Sequence, residues 1–114
     1  MTPAIATRNA IRDLNDAFRT SGSSARGQWM LTCGIQAKGA DFLSLAVKAV
    51  REFDGFTDDN DPYGEHDFGS FNLAGETLFW KIDYYDRTLS FGSEDPADPA
   101  VTRRVITIML ASEY

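Results

Sequence analysis

The residues with the clearest capacity for chemistry surround the only histidine of the chain. Glu65 and Asp67 flank His66, and Tyr63 and Gly64 precede them. An imidazole beside carboxylates can act as a general base or help to bind a metal. In a strand, however, Glu65 and Asp67 would share one face and His66 would take the other. The segment is therefore either a small catalytic or metal-binding centre, or a junction between a loop and a strand whose side chains satisfy backbone groups.

Negative charge is concentrated in the middle of the chain. The 114 residues include 17 acids and 11 bases, for a formal charge of −6. Residues 54–98 hold twelve acids against Lys81 and Arg87, and residues 54–67 contain no lysine or arginine. Such a segment repels the phosphates of nucleic acids and attracts basic protein surfaces. We therefore expect no direct binding of nucleic acid, whereas a basic protein partner is compatible with the charge.

Tyrosines accompany these acids, and tyrosines are frequent anchors of protein interfaces. In the stretch 83–86, of sequence DYYD, one tyrosine can face the core while the other covers the sheet. The acids of residues 93–98 could equally serve as helix caps. The candidate binding residues are Asp58, Asp59, Asp61, Tyr63, Glu65, His66, Asp67, Tyr84, Tyr85, Asp86, Glu94 and Asp95.

The length and composition are those of one small domain over residues 1–114. The lone Cys33 cannot form an internal disulfide, and no apolar run approaches the roughly 20 residues of a membrane span. A soluble cytoplasmic protein is therefore expected. The chain has no Gly-rich phosphate loop and no nucleophile elbow, and one His with a distant Cys is a poor metal-ligand set. We predict no cofactor, no metal and no catalytic residue.

The hydrophobic periodicity predicts seven elements in the order α-β-α-β-β-β-α. Thr2 before Pro3 and Asp98 before Pro99 are typical helix starts. Residues 74–76 predict a tight hairpin. Helices are expected over residues 3–19, 40–53 and 99–111, and strands over residues 27–36, 67–73, 77–85 and 88–91. This order predicts an α+β domain with an antiparallel sheet of about four strands and helices packed on one face.

Most of the chain resembles a known family. The resemblance lies in residues 60–69 (NDPYGEHDFG), 79–86 (FWKIDYYD), 92–99 (GSEDPADP) and 104–114 (RVITIMLASEY). These stretches are similar to those of a small group of uncharacterised alphaproteobacterial proteins, classed as a domain of unknown function and often encoded on plasmids and other mobile elements. The resemblance implies no activity and no catalytic residues. It implies a bacterial accessory gene that helps a mobile element to persist in its host.

The leading hypothesis is a non-enzymatic module that presents an acidic, tyrosine-bearing surface to a basic protein. In its sharpest form, the protein is a mobile-element-encoded inhibitor of a host defence system, occupying a Lys/Arg groove meant for phosphates. One alternative is a small enzyme or metal-binding protein centred on Glu65, His66 and Asp67. A second is a homo-oligomeric structural protein that uses the Tyr and Phe residues of its sheet. These patterns specify no oligomeric state.

Overall fold

A computed structural model describes residues 3–22 and 27–114. These residues contain three helices and a four-stranded sheet. The strands lie in the order β1-β4-β3-β2. The pairs β2–β3 and β3–β4 are antiparallel, whereas β1 and β4 are parallel. The α+β class is confirmed, but the sheet is mixed rather than antiparallel. The elements are α1 (Pro3–Ser21), β1 (Gly27–Leu31), α2 (Cys33–Ala37), α3 (Ala40–Glu52), β2 (Phe68–Leu73), β3 (Glu76–Tyr85), β4 (Arg103–Leu110) and a 3₁₀ turn (Ala111–Glu113).

The C-terminal segment is a central strand, so the helix predicted over residues 99–111 is wrong. Strand β4 has four consecutive β-branched residues from Val105 to Ile108, which fit a pleated sheet better than a helix. Every second residue from Arg104 to Ile108 is buried. Asp98 caps a turn instead of a helix, because its Oδ1 accepts the N–H of Ala100 at 2.9 Å. The cap proposed at Thr2 lies outside the described residues.

Strand β1 ends at Leu31 rather than at residue 36, because Thr32 starts helix α2. The Thr32 Oγ1 accepts the N–H of Ile35 at 3.5 Å and donates to the Glu113 carboxylate at 2.6 Å. The N–H of Gly34 donates to the same carboxylate at 3.1 Å. A Cβ at Gly34 would lie 2.6 Å from that carboxylate, so only glycine permits this approach. The residues that follow β1 thus contact the 3₁₀ turn that follows β4.

Residues 88–91 form a turn, so the strand predicted there is also wrong. The Asp86 Oδ1 accepts the N–H of Ser90 at 3.0 Å and the hydroxyl of Thr88 at 2.9 Å. The N–H of Asp86 donates to the Phe91 carbonyl at 2.8 Å. Leu89 has φ +62°, which a strand does not allow. With these two corrections and the additional helix α2, the order of elements becomes α-β-α-α-β-β-β.

A tight hairpin joins β2 and β3 as predicted, but Glu76, which was predicted to lie in the connection, is the first residue of β3. Leu73 pairs with Glu76, so the connection has only the two residues Ala74 and Gly75. Both have positive φ, +51° and +82°, as a type I′ turn requires.

One hydrophobic core lies between the sheet and the helices. Trp80 of β3 is fully buried at its centre, and its indole passes over Gly69 of β2. A Cβ at Gly69 would lie 2.3 Å from Trp80 Nε1, so the missing side chain makes room for the ring. All three helices contribute to this core, whose buried members are Phe18, Ile35, Ala46, Val50, Leu78, Trp80, Ile82, Ile106 and Ile108.

Candidate functional site

Two acidic connections meet at one end of the sheet. Strand β2 begins at Phe68 opposite Lys81, and β3 ends at Tyr85 opposite Arg103 of β4. The connection into β2 and the connection from β3 to β4 therefore lie at the same end. We call residues 54–67 and 86–102 the acidic end. Together they contain ten carboxylates, the histidine His66 and only one lysine or arginine, Arg87.

Some acids of this end face solvent and others turn inward. Asp58, Asp59 and Glu94 are exposed, and within residues 3–22 and 27–114 their carboxylates make no hydrogen bond or ion pair. Asp61, by contrast, is only 9% exposed, and its Oδ1 accepts the N–H of His66 at 3.3 Å. The acids named as binding candidates therefore divide into an outward set and a structural set.

The three residues Glu65, His66 and Asp67 do not converge. The Glu65 Oε1 accepts the hydroxyl of Tyr84 at 3.2 Å, on the side of the sheet that faces α1. The His66 ring points instead toward Asp16 of α1. Asp67 is partly buried, and its burial, followed by the nearby Glu65 carboxylate, raises its pKa. The arrangement lacks the common point at which a catalytic or metal-binding triad would act.

His66 fastens the acidic end to helix α1. Its Nδ1 lies 2.9 Å from Asp16 Oδ1, and its Nε2 lies 3.6 Å from Asp61 Oδ2. The ring stacks on Phe56 with centroids 3.8 Å apart and planes 2° from parallel. Each ring nitrogen thus faces a carboxylate of the protein itself, and one ring face is covered. His66 holds a left-handed backbone with φ +55°, so the loop bends sharply at this point.

Arg19 lies under this junction, buried between the helices and the sheet. Its guanidinium donates to the carbonyls of Val50 at 2.8 Å and Phe53 at 2.9 Å, at the C-terminus of α3. It also lies over the rings of Phe56 and Trp80, 5.4 and 5.1 Å from their centroids. Burial lowers the pKa of Arg19, an effect opposed by the Asp16 carboxylate. A cation is favoured at a helix C-terminus, so the position is a structural one.

A buried polar network joins α1 to the other acidic connection. The Asn15 Nδ2 donates to the Tyr84 hydroxyl at 2.8 Å and to the Glu65 carbonyl at 2.9 Å. The Asn15 Oδ1 accepts the Arg104 Nε–H at 2.7 Å, and Arg104 also donates to the Pro96 carbonyl at 2.6 Å. Burial raises the pKa of the Tyr84 hydroxyl. Tyr84 is therefore committed to this network rather than presented to a partner.

The remaining candidates lie on the surface or in turns. Tyr63 is 65% exposed, with the Arg8 guanidinium 5.5 Å from its ring centroid. Tyr85 follows the inward Tyr84 and so takes the outer face of the sheet. The Asp95 Oδ1 accepts the N–H of Ala97 at 3.1 Å, which closes a turn.

Asp86 lines a shallow groove of about 430 Å³ in the connection between β3 and β4. The hydrogen bonds from the Ser90 N–H and then from the Thr88 hydroxyl hold the Asp86 pKa below its ordinary value. Phe91 projects beside the groove and is 76% exposed. The residues that line it are Asp86, Arg87, Phe91, Gly92, Glu94 and Val101.

The aromatic residues on the outer face of the sheet partly cover one another. The Tyr114 ring lies 5.5 Å from Phe79 and 6.1 Å from Phe68, measured between centroids. The C-terminal residue thus already packs on the aromatic face that the homo-oligomer hypothesis would use.

Sequence reasoning missed the residues that organise this end: Asn15, Asp16, Arg19, Phe56, Phe91 and Arg104. Asn15, Asp16 and Arg19 are polar residues next to the apolar stripe of α1. In the sequence alone they are indistinguishable from residues on a solvent-exposed helix face. Their role depends on partners that lie from 31 to 89 positions away in the chain. Phe91 belongs to the predicted strand 88–91, whereas the structure places it in an exposed turn.

Neither a metal site nor a membrane-spanning helix is found in the described part of the chain. Within residues 3–22 and 27–114, no three His, Cys, Asp or Glu side chains are grouped as a metal site requires. In the same residues, no helix has the length and apolarity that crossing a bilayer requires.

Comparison with known proteins places the chain in a family. No curated protein and no solved structure matches it. The model of one family, described as "Protein of unknown function (DUF3768)", matches residues 31–113. This match begins at the end of β1 and includes α2, α3, the acidic end and the other three strands. Since it covers well over half of the sequence, the chain belongs to the DUF3768 family of proteins of unknown function.

Proposed function

We propose that this protein is a non-enzymatic binding module whose acidic end docks on a basic protein surface. The single observation that supports the proposal most is the meeting of the two acidic connections at one end of the sheet. Charges on one side of a small rigid domain produce a directed field, which steers a basic partner to that side.

The inward-facing groups support the proposal by making the acidic end rigid. Asp16, Asn15 and Arg104 hold the two connections from within, through His66 and Tyr84. The outward carboxylates of Asp58, Asp59 and Glu94 are therefore carried on a fixed frame. A surface already in its bound shape loses less conformational entropy on association, which favours affinity.

The catalytic alternative receives less support. It needs Glu65, His66 and Asp67 to act on one point, whereas their side chains have separate surroundings. Both nitrogens of His66 face carboxylates of the protein. No second function is therefore proposed for this site.

The sharper form of the proposal names the partner class. An acidic end of this kind can occupy a Lys/Arg groove that would otherwise hold nucleic-acid phosphates. We propose a nucleic-acid-binding protein of a host defence system as the target, inhibited in the cytoplasm by this mobile-element-encoded chain. The resemblance of the sequence to plasmid-borne proteins supports this form.

A pull-down with matched charge variants tests the proposal. The bait variant Asp58→Asn/Glu94→Gln removes one outward acid from each acidic connection. The control Asp41→Asn/Glu76→Gln makes the same change in net charge at the other end of the sheet, where Lys38 meets Glu76 at 2.7 Å. Wild type and the control should retain basic proteins from nuclease-treated bacterial lysate. The amount retained by Asp58→Asn/Glu94→Gln should be at least about threefold lower.

The retained proteins then decide the sharper form. A purified target should lose labelled DNA or RNA when wild-type protein is added, and high salt should abolish the competition. Equal retention by all three baits would show that the acidic end is not the docking surface. If the retained partners bind no nucleic acid, the proposed inhibition of a nucleic-acid-binding protein is contradicted, whereas the proposed docking on a basic protein stands.

A further inference from the structure

We propose that the groove beside Phe91 receives an arginine side chain from an exposed segment of the partner protein. The inference rests on the proposed function and adds the point of attachment and the chemistry of the partner. The surface concerned is the groove lined by Asp86, Arg87, Phe91, Gly92, Glu94 and Val101, which we call the Phe91 groove.

Phe91 is an exposed aromatic side chain on a fixed backbone. Its carbonyl accepts the N–H of Asp86 at 2.8 Å, and the next residue, Gly92, forms a β-bridge with Tyr85. The N–H of Ser93 then donates to the Tyr84 carbonyl at 3.0 Å. A large apolar ring exposed on a fixed backbone has the character of an interface hot spot, because the backbone needs little further ordering on binding.

The ring is part of an apolar patch rather than an isolated exposed residue. Val101 in the same groove is 40% exposed, and Leu89 in the adjoining turn is 37% exposed. Exposed apolar side chains grouped in this way and rimmed by polar residues mark an interaction surface.

The charge around the ring selects the occupant. Carboxylates of Asp86 and Glu94 border the groove, and Asp86 is held ionised by its own turn. An apolar or acidic segment would bury these carboxylates without giving them hydrogen-bond donors or a positive charge. A guanidinium satisfies both features, since its flat face stacks on an aromatic ring and its edge donates to carboxylates.

Arg87 would compete with the arginine of the partner for the Phe91 groove. It is the one cation in the lining of the Phe91 groove, and it is exposed. In the part of the chain that the structure describes, its side chain forms no ion pair. Removing Arg87 should therefore strengthen the binding of an arginine-bearing segment, whereas it would weaken the binding of an acidic one.

The test uses a fluorescein-labelled peptide of arginine, glycine and serine, and a second peptide with citrulline in place of arginine. Citrulline keeps the planar shape and loses the charge. Fluorescence anisotropy at low salt should show binding of the arginine peptide to wild type and about tenfold weaker binding of the citrulline peptide. Phe91→Ala should weaken the arginine peptide about three- to tenfold, and Arg87→Ala should strengthen it about twofold or more.

Leu45→Ala is the matched control, because Leu45 is an exposed apolar residue of α3 that belongs neither to the groove lining nor to the acidic end. It should leave peptide binding unchanged, and all variants should melt close to wild type. If Phe91→Ala binds as wild type while Asp58→Asn/Asp59→Asn, whose two acids lie outside the groove lining, binds weakly, the Phe91 groove is overturned and the acidic end stands. If Arg87→Ala weakens binding, the arginine occupant is overturned. If wild type fails to bind the arginine peptide, the groove proposal falls, and the pull-down alone decides the proposed function.

Discussion

Arg19 and Arg51 each cap the C-terminus of the helix that the other belongs to. The Arg19 Nη1 donates to the Val50 carbonyl of α3 at 2.8 Å, and the Arg51 Nε donates to the Thr20 carbonyl of α1 at 3.2 Å. Both helix ends would otherwise leave carbonyl groups without donors. The exchange fixes α1 against α3 and so fixes the surface on which Asp16 meets His66.

The two caps differ in burial, and this predicts unequal effects on stability. Arg19 is 2% exposed, whereas Arg51 lies at the surface. Arg19→Met should lower the free energy of unfolding by about 2–4 kcal/mol, because it leaves buried carbonyls of α3 without a donor. Arg51→Met should lower it by about 0.5 kcal/mol, as for other exposed pairs. Urea titrations of the two variants measure the difference, and equal losses would contradict the buried role of Arg19.

Gly69 should tolerate no side chain. A Cβ there would lie 2.3 Å from Trp80 Nε1, in the centre of the core. Gly69→Ala should therefore cost about 1–3 kcal/mol of stability and change the fluorescence of the buried tryptophan. Ser70→Ala, one residue further along β2 and exposed, is the control and should change stability by less than about 0.5 kcal/mol. Unaltered fluorescence and stability in Gly69→Ala would mean that β2 shifts away from the indole.

Asp67 should make stability depend on pH in a particular direction. Its folded pKa is raised by burial and then by Glu65, so the folded state holds the proton more tightly than the unfolded state. Stability contributed by the protonated carboxyl is present below the ordinary value of 3.8 and is lost as the pH rises through the raised value. Asp67→Asn should therefore be more stable than wild type at pH 7, and the gain should disappear on acidification below about pH 3.8.

Denaturation of Asp67→Asn and wild type across this range measures the effect. Asp58→Asn, a fully outward acid, provides the comparison at each pH. A gain that stays constant from pH 3 to pH 7 would show that it does not arise from ionisation of Asp67.

His66 combines a left-handed backbone with side-chain contacts, and two substitutions separate these roles. His66→Asn tolerates φ +55°, whereas His66→Val does not, because a β-branched residue is strained there. Both lose the stacking on Phe56 and the contact with Asp16. His66→Val should be less stable than His66→Asn by about 1–2 kcal/mol.

Hydrogen exchange reports the second role of His66. Amides of residues 61–66 should exchange faster in both variants than in wild type, because the fastening to α1 is lost in each. Wild-type exchange rates in His66→Asn would show that the backbone turn alone holds the acidic end.

The elements that were predicted correctly have local signals. Helices α1 and α3 follow apolar stripes with a period of 3.6, and the β2–β3 hairpin carries Gly75 at a position that needs positive φ. The sequence of strand β4 predicts a helix because Asp98 before Pro99 is a typical helix start, whereas in the structure Asp98 caps a turn. Its identity depends on pairing with β1 and β3, which begin 76 and 27 residues earlier in the chain.

The sequence alone determined the concentration of acids in residues 54–98, and with it the negative charge on which the proposed function depends, because net charge does not depend on the fold. Only the tertiary structure decided which acids remain available. Asp61 and Glu65 turn inward because α1, some fifty residues away in the chain, brings Asn15 and Asp16 to them through Tyr84 and His66. Asp58 and Glu94 stay outward because no such partner reaches them in the described residues, and the turn at Asp86 leaves Phe91 beside Glu94 in solvent.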